Sequence, residues 1–165
     1  MKTQILDGFL DPQDFKILEE QIMGINFPWN YNEGIVTPDD GRYQFTHGFY
    51  RDYEPRSPYW SLVQPVFKGL NASSVTRCKA NLTVRTEEPQ LNDFHIDFPN
   101  CITAILYMNT NNGYTIFRDG TRIDSESNRL VVFDSNLEHA GVTCTDTNRR
   151  VVINFNFNIF EGVPQ

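Results

Sequence analysis

The sequence is poor in cysteine, histidine and basic residues. Its three cysteines, Cys78, Cys101 and Cys144, have no regular spacing, which predicts free thiols rather than a disulfide framework. The 14 lysine and arginine residues are outnumbered by 21 aspartate and glutamate residues, and the net charge of −7 disfavours binding to nucleic acid. We therefore expect a protein of the reducing cytoplasm that has no nucleic acid as a partner.

Long apolar runs are also absent from the sequence. No stretch approaches the roughly 20 residues of a membrane span, and the N-terminal letters MKTQILDG contain no apolar signal-peptide segment. We therefore expect no membrane as a partner. The 165 residues, of which 39% are hydrophobic, can bury one core, so a single domain over 1–165 is predicted.

Residues 1–76 carry two helix signals. The first begins at the cap residue Asp11 and keeps apolar residues at helical spacing as far as Gly24. The second begins at Ser57 and ends at Gly69, and we expect Pro65 inside it to kink or split the helix. Both helices would support the rest of the domain.

The segment 27–54, between these helices, is rich in aromatic residues and predicts strand fragments and loops. Several of its aromatic side chains are candidates for the walls of a substrate channel, although packing in the core explains them equally well. They are Trp29, Tyr31, Tyr50 and Tyr53. We expect 1–76 as a whole to recognise the substrate as well as to support the core.

The remainder of the chain carries strand signals. Short apolar, β-rich runs are separated by turn residues, which is typical of a sandwich or barrel rather than of a parallel sheet with crossover helices. We predict a mainly β fold, a jelly roll with N-terminal helices as a layer on one face. The predicted strands are 78–85, 92–97, 102–109, 114–117, 129–134, 141–144 and 150–157.

Two of the three histidines form a pattern with an aspartate. His95 and Asp97 stand at i and i+2 on a predicted strand, so their side chains point to the same side. His139 can add a second imidazole from a distant strand. Two imidazoles and one carboxylate are the facial ligand set of non-haem Fe(II) sites, and they leave three positions of a six-coordinate metal open. His47 lies outside this pattern, and we expect it at the surface or behind the ligands.

The last predicted strand separates two adjacent arginines by face. Arg150 shares a face with Asn154 and Asn156 that we expect to look into the barrel, whereas Arg149 shares the apolar face with Val151. A buried guanidinium needs an anion, since an unpaired buried charge costs several kcal/mol. A carboxylate of the protein and the distal carboxylate of a bound keto acid both meet that need.

Three further polar residues are candidates for the same interior. Tyr107 and Thr103 share one face of their predicted strand, and the Tyr107 hydroxyl can reach Arg150 or belong to an ordinary core tyrosine that points outward. Asn81 would place an amide inside from another strand. We expect these side chains beside a bound co-substrate.

The chain over 77–158 resembles the 2-oxoglutarate- and Fe(II)-dependent oxygenases, in particular their prolyl-4-hydroxylase-like branch. Several short motifs, in the family's order and approximate spacing, carry the resemblance: FHID at 94–97, the run 103–109, NG at 112–113, the run 128–133, HAG at 139–141 and the strand 150–157. The resemblance implies a double-stranded β-helix core. It also implies that His95, Asp97 and His139 bind iron, and that Arg150 and Tyr107 bind the distal carboxylate of 2-oxoglutarate.

The same resemblance implies the chemistry. It predicts Fe(II) and 2-oxoglutarate as cofactors, ascorbate as the reductant in assays, and hydroxylation of a substrate. A prolyl residue in a peptide is the first candidate, and a small molecule or free amino acid is the alternative. Asp97 favours hydroxylation, because halogenating relatives carry a small residue there. Val152 stands where relatives often carry serine, so one hydroxyl contact is missing.

Two other classes of function stay open from the sequence. A cupin-like metal hydrolase or isomerase would use the same three ligands with a metal-bound water. A non-catalytic jelly-roll binding module would keep the fold without turnover. Iron-dependent consumption of 2-oxoglutarate would separate the oxygenase from both.

Overall fold

The computed structural model describes residues 2–38 and 40–160. Within these ranges it has two helices and eleven strands. The helices are α1 (Pro12–Ile22) and α2 (Trp60–Gly69). The strands are β1 (Gln4–Leu6), β2 (Asn30–Glu33), β3 (Tyr43–Arg51), β4 (Glu54–Pro55), β5 (Ala72–Val84), β6 (Ile102–Tyr107), β7 (Tyr114–Phe117), β8 (Arg122–Asp124), β9 (Arg129–Asp134), β10 (His139–Val142) and β11 (Arg149–Ile159).

Antiparallel pairing arranges these strands in two sheets. The larger sheet has the order β1-β9-β6-β11-β5-β3-β2, with β4 paired to β3, and the smaller sheet has the order β10-β7-β8. The long strands β5 and β11 pair at the centre of the larger sheet. The prediction of a mainly β, antiparallel fold is confirmed. No helix in the described ranges is long and apolar enough to cross a membrane.

Both predicted helices are present, but the second begins later than predicted. Asp11 caps α1 by accepting a hydrogen bond from the Gln13 backbone N at 2.9 Å. Helix α2 begins at Trp60 rather than at Ser57, because the Ser57 hydroxyl accepts from Tyr59 N and forms a turn before the helix. The expected split at Pro65 is not found, since α2 continues through it.

The two faces of β11 differ as the alternation predicts. Its apolar face belongs to the main hydrophobic cluster, which also contains buried residues of both helices. The edge of the Phe67 ring on α2 meets Phe155 at 5.1 Å between centroids. The opposite face carries Arg150, Asn154 and Asn156, all buried. The interior between the two sheets is therefore polar along this strand.

The predicted strand 92–97 is wrong. This segment pairs with β10 only at isolated points, among them a bridge between His95 and His139. Side chains occupy carbonyls that a continuous ladder would use: Arg42 Nη1 donates to Leu91 O at 2.7 Å, and the His95 ring bonds Asp93 O at 3.1 Å. The segment is held in place by these contacts instead of by a ladder.

Candidate active site

Two neighbouring side chains, His95 and Asp97, converge between the sheets with His139, which is distant from them in sequence. The potential ligand atoms of His95, Asp97 and His139 all lie within 4.8 Å of one another. The two imidazole centroids are 4.9 Å apart, and His95 Nε2 lies 3.9 Å from Asp97 Oδ1. One divalent ion can contact all three side chains at such separations, and two imidazoles with one carboxylate suit Fe(II).

Backbone contacts orient both imidazole rings. His95 Nδ1 lies 3.1 Å from Asp93 O, and His139 Nδ1 lies 3.2 Å from Leu137 O. A ring that donates from Nδ1 keeps the lone pair on Nε2, the form that binds a metal. Burial lowers the pKa of His139, which also favours the neutral ring. The site is therefore prepared for a metal before one binds.

Asp97, the third candidate ligand, is held from two sides. Arg77 Nη2 forms an ion pair with its Oδ1 at 2.8 Å, and Asn154 Nδ2 donates to its Oδ2 at 2.9 Å. Burial acts to raise the pKa of Asp97, but the charges of Arg77 and His139 outweigh it and lower the pKa to about 2. The carboxylate therefore stays ionised at any ordinary pH.

Arg150 is buried without an anionic partner in the described part of the chain. Its side chain is 6% exposed. Its Nε donates to Ser125 Oγ at 3.0 Å and its Nη2 to Thr115 Oγ1 at 3.1 Å, while no carboxylate within 2–38 or 40–160 contacts it. Burial lowers the pKa of this guanidinium, because water no longer stabilises the charge. A protein carboxylate does not balance Arg150, which leaves the position free for a ligand anion.

Two glycines make room for the Arg150 side chain. A Cβ added at Gly113 would lie 2.8 Å from Arg150 Cδ and equally close to Asn111 Oδ1 and Val142 O. A Cβ at Gly141 would lie 3.4 Å from Arg150 Nη1. The glycines of the NG and HAG motifs thus allow the backbone to approach the guanidinium closely.

Of the three other residues expected beside a co-substrate, one lines the cavity and two do not. Tyr107 is fully buried, and its hydroxyl donates to Thr115 Oγ1 at 2.8 Å, so it contacts Arg150's partner rather than the cavity. Asn81 lines the cavity. Thr103 accepts a hydrogen bond from Asn156 Nδ2 at 3.0 Å and is not among the lining residues. Their roles in binding stay predictions.

One cavity connects the three candidate metal ligands with Arg150. Its other lining residues come from the β2–β3 connection, the irregular segment before Asp97 and strands of both sheets, so residues far apart in sequence enclose it. The lining residues are Ile35, Gln44, Lys79, Asn81, Asn92, His95, Asp97, Ile105, Thr115, His139, Gly141, Arg150, Val152 and Asn154.

Sequence reasoning missed several residues that line the cavity or hold its charged side chains. Arg77 and Lys79 lie four and two positions before Asn81 on β5. Because side chains alternate along a strand, the sequence would have placed both on the face of Asn81. Ser125 and Thr115 carry no such signal, because only the tertiary fold brings them to Arg150. These residues position Asp97 and Arg150 or add charge to the cavity.

His47 is expected at the surface or behind the candidate metal ligands, and the structure places it at neither. His47 is buried and bonds Pro28 O at 2.8 Å and Ser57 Oγ at 2.7 Å. The aromatic residues expected as channel walls do not line the cavity either. Trp29 and Tyr50 pack against the main hydrophobic cluster, whereas Tyr31 and Tyr53 are exposed.

Solved structures of oxygenases share this fold. A prolyl hydroxylase from Trichoplax adhaerens, in complex with a peptide fragment of the hypoxia inducible factor oxygen degradation domain, matches with a TM-score of 0.68 and 15% identity over 94% of this chain and 83% of that chain. A 2OG-Fe(II) oxygenase family oxidoreductase from Burkholderia pseudomallei matches with a TM-score of 0.67 and 9% identity over 99% and 88%. SnoN, a non-heme alpha ketoglutarate dependent epimerase from nogalamycin biosynthesis, matches with a TM-score of 0.60 and 11% identity over 95% and 77%.

These comparisons confirm the fold that the motifs predicted, the jelly roll of 2-oxoglutarate- and Fe(II)-dependent oxygenases. Identities of 9% to 15% show the fold alone. No family model and no curated protein matches the chain. The reaction has to be argued from the site.

Proposed function

We propose that the protein is a 2-oxoglutarate- and Fe(II)-dependent oxygenase that hydroxylates its substrate. The observation that carries this proposal is the pairing, in one cavity, of a His-Asp-His cluster with a buried arginine that lacks a protein anion. A metal site alone fits several reactions. The guanidinium without a protein anion favours a ligand carboxylate at that end of the cavity, which 2-oxoglutarate supplies in addition to the group that binds the metal.

The donor set suits Fe(II). His95, Asp97 and His139 would hold the ion, with Asp97 kept ionised and oriented by Arg77 and Asn154. When bound, iron with 2-oxoglutarate supplies the oxidising power for hydroxylation, which the protein's own side chains lack. The residues of the chain bind, orient and exclude water.

Arg150 would bind the distal carboxylate of 2-oxoglutarate. Ser125 and Thr115 fix its guanidinium by accepting hydrogen bonds, and the Tyr107 ring lies 5.6 Å from it. Ile105 and Val152 add apolar walls to the cavity, which suit the methylene groups between the two carboxylates. Burial of this end keeps the ion pair away from competing water.

The substrate is the finer part of the proposal. A prolyl residue in a peptide is the first candidate, supported by the likeness to a prolyl hydroxylase solved with a peptide. A free amino acid or other small molecule is the alternative, and Lys79 in the cavity suits a carboxylate of either kind of substrate. A cupin-like hydrolase or isomerase would leave Arg150 without a role, and a non-catalytic module would not need a prepared metal site.

The test is a substrate screen with Fe(II), ascorbate and 2-oxoglutarate. Proline-containing peptides, free amino acids and small acids are incubated with the protein, and products are examined for the mass of one added oxygen. An oxygen gained from O₂ with one member of the screen, dependent on both Fe(II) and 2-oxoglutarate, supports hydroxylation. Cleavage of a test compound with the addition of one water molecule, independent of 2-oxoglutarate and O₂, would favour the hydrolase class instead.

A further inference from the structure

A lysine stands at the level of the metal ligands in the same cavity. Lys79 on β5 pairs with Asn154 on β11 and with Gly48 on β3. Directly paired residues of antiparallel strands point to the same face of a sheet. Because Asn154 is the residue that donates to Asp97, the register places Lys79 beside the metal end of the cavity, which its side chain lines.

This lysine is the one cationic lining residue that the proposed co-substrate does not use. Arg150, the other cation among the lining residues, is fixed by Ser125 and Thr115 and is assigned to 2-oxoglutarate. Arg77, two residues before Lys79, already forms an ion pair with Asp97. In the described part of the chain, the Lys79 side chain has neither a hydrogen bond nor an ion pair.

The surroundings of Lys79 favour an additional anion. Burial and the charges of Arg77 and Arg51 lower its pKa to about 8, while Asp97 acts in the opposite direction. The Asp97 oxygens contact Arg77 and Asn154, and within the described residues no ion pair joins Asp97 to Lys79. An ammonium that has lost water without gaining a partner is unfavourable, so a ligand carboxylate would stabilise it.

Gly48 leaves space next to this ammonium. The residue is exposed, and a Cβ added there would meet no atom within 4 Å. Most side chains at this position would cover the cross-strand neighbour. The glycine thus gives a ligand access to Lys79 from solvent.

We propose that Lys79 binds a carboxylate of the substrate and so selects substrates that carry this anion near the carbon to be hydroxylated. The inference rests on the proposed function, in which the two carboxylates of 2-oxoglutarate go to the metal and to Arg150. Two sources present the same chemistry. They are the α-carboxylate of a free amino acid and an acidic side chain in a peptide.

Binding to the protein loaded with Mn(II) and 2-oxoglutarate tests the proposal without turnover. The probes are a panel of amino acids, each with its carboxamide, and short peptides that differ only by aspartate or asparagine beside a proline. Calorimetric titration should give an acid that binds about tenfold or more tightly than its amide, as expected for a charge-assisted contact. The pair that shows the preference identifies the source.

Variants at two positions make the assignment specific. Lys79→Met should reduce the preference for acid over amide to less than about twofold, whereas Lys79→Arg should retain most of it. Gly48→Glu should also remove the preference, because it supplies a competing carboxylate opposite Lys79. Gly48→Gln, of equal size but uncharged, is its control: by covering Lys79 it should weaken the binding of acid and amide alike, while the larger part of the preference between them is retained. If Lys79→Met fails to fold, the Gly48 pair gives the answer.

The possible failures are distinguishable. A wild-type protein that binds neither Mn(II) nor 2-oxoglutarate would overturn the proposed function. A wild-type protein that binds both but shows no preference for any acid in the panel would overturn only the role of Lys79. A preference that persists undiminished in Lys79→Met and in Gly48→Glu would do the same.

Discussion

His95 and His139 face each other across two backbone hydrogen bonds, each 3.0 Å long. Each residue donates its N–H to the other's carbonyl, so the two rings stand side by side although 44 positions (139 minus 95) separate them. The bridge fixes the backbone of the irregular segment that carries Asp97. The convergence of the three candidate ligands therefore depends on pairing between two segments and not on local sequence alone.

Loss of either ring should abolish the metal site. We expect His95→Ala and His139→Ala to lose measurable Mn(II) or Fe(II) binding, because two ligands hold a divalent ion far more weakly than three. Metal content after dialysis and calorimetric titration measure this. His47→Ala is the matched control: it removes a buried imidazole outside the cavity and should lower stability while folded protein keeps its metal affinity.

The residues that hold Asp97 should tune the metal site. Arg77→Met and Asn154→Ala should each weaken metal affinity about 10-fold to 100-fold, the usual effect of losing a residue that orients a ligand. Without the Arg77 charge, burial should raise the pKa of Asp97 from about 2, so metal binding should fail at a higher pH as the pH is lowered. Titrations of Mn(II) between pH 4 and pH 8 measure both effects (roughly the range over which carboxylates and imidazoles titrate).

Exposed Arg51 lies on a neighbouring strand, and Arg51→Met is the control for Arg77→Met. It removes a cation of the same size that forms an ion pair with Asp52 rather than with Asp97. Equal losses of metal affinity in the two variants would show that general charge, not contact with Asp97, is responsible.

The two adjacent arginines should behave differently. Arg150→Ala should raise the 2-oxoglutarate concentration needed for half-saturation, because removing one partner of a desolvated charge pair costs roughly 2–5 kcal/mol. This corresponds to about thirty-fold to a few thousand-fold. Arg149→Ala should change it little, since Arg149 contacts Met23 O on the other side of the sheet. Reversed behaviour would mean that the inward arginine is not the co-substrate residue.

Stability should depend on pH through Lys79. Its pKa of about 8 in the folded protein lies below the ordinary value of 10.5, so between these values the unfolded chain binds more protons than the folded chain. The free energy of unfolding should therefore gain a positive contribution as the pH rises through this window. Urea unfolding at several pH values should show this gain in the wild type and not in Lys79→Met. Parallel curves for the two proteins would contradict it.

Local patterns predicted the parts of the site that depend on alternation and scarcity. The alternation of side chains put Arg150 on the sheet face toward the cavity and Arg149 on the opposite face. The rarity of histidine pointed to His95 and His139 as candidate ligands. The caps of α1 were equally local. The same patterns misjudged 92–97, where the His95 ring bonds the Asp93 carbonyl and pairing with β10 is isolated. They also misjudged His47, whose partners Pro28 and Ser57 come from other segments.

The remaining features require the tertiary fold. Thr115 on β7 and Ser125, which follows β8 in the chain, contact Arg150 only in the folded protein. No spacing in the sequence indicates that contact. The position of Lys79 is predictable from the sequence in part, because alternation puts it on the same face of β5 as Asn81. That Asp97 pairs with Arg77 and not with Lys79 is evident only from the tertiary structure.

The production of succinate from 2-oxoglutarate tests the central claim most directly. Protein that holds Fe(II), supplied with ascorbate and 2-oxoglutarate, should form succinate slowly alone and faster with a true substrate. His139→Ala should form none, and Arg150→Ala should require much more 2-oxoglutarate to reach the same rate. No succinate from iron-loaded wild-type protein, with or without any substrate of the screen, would contradict oxygenase activity and leave a binding module as the better interpretation.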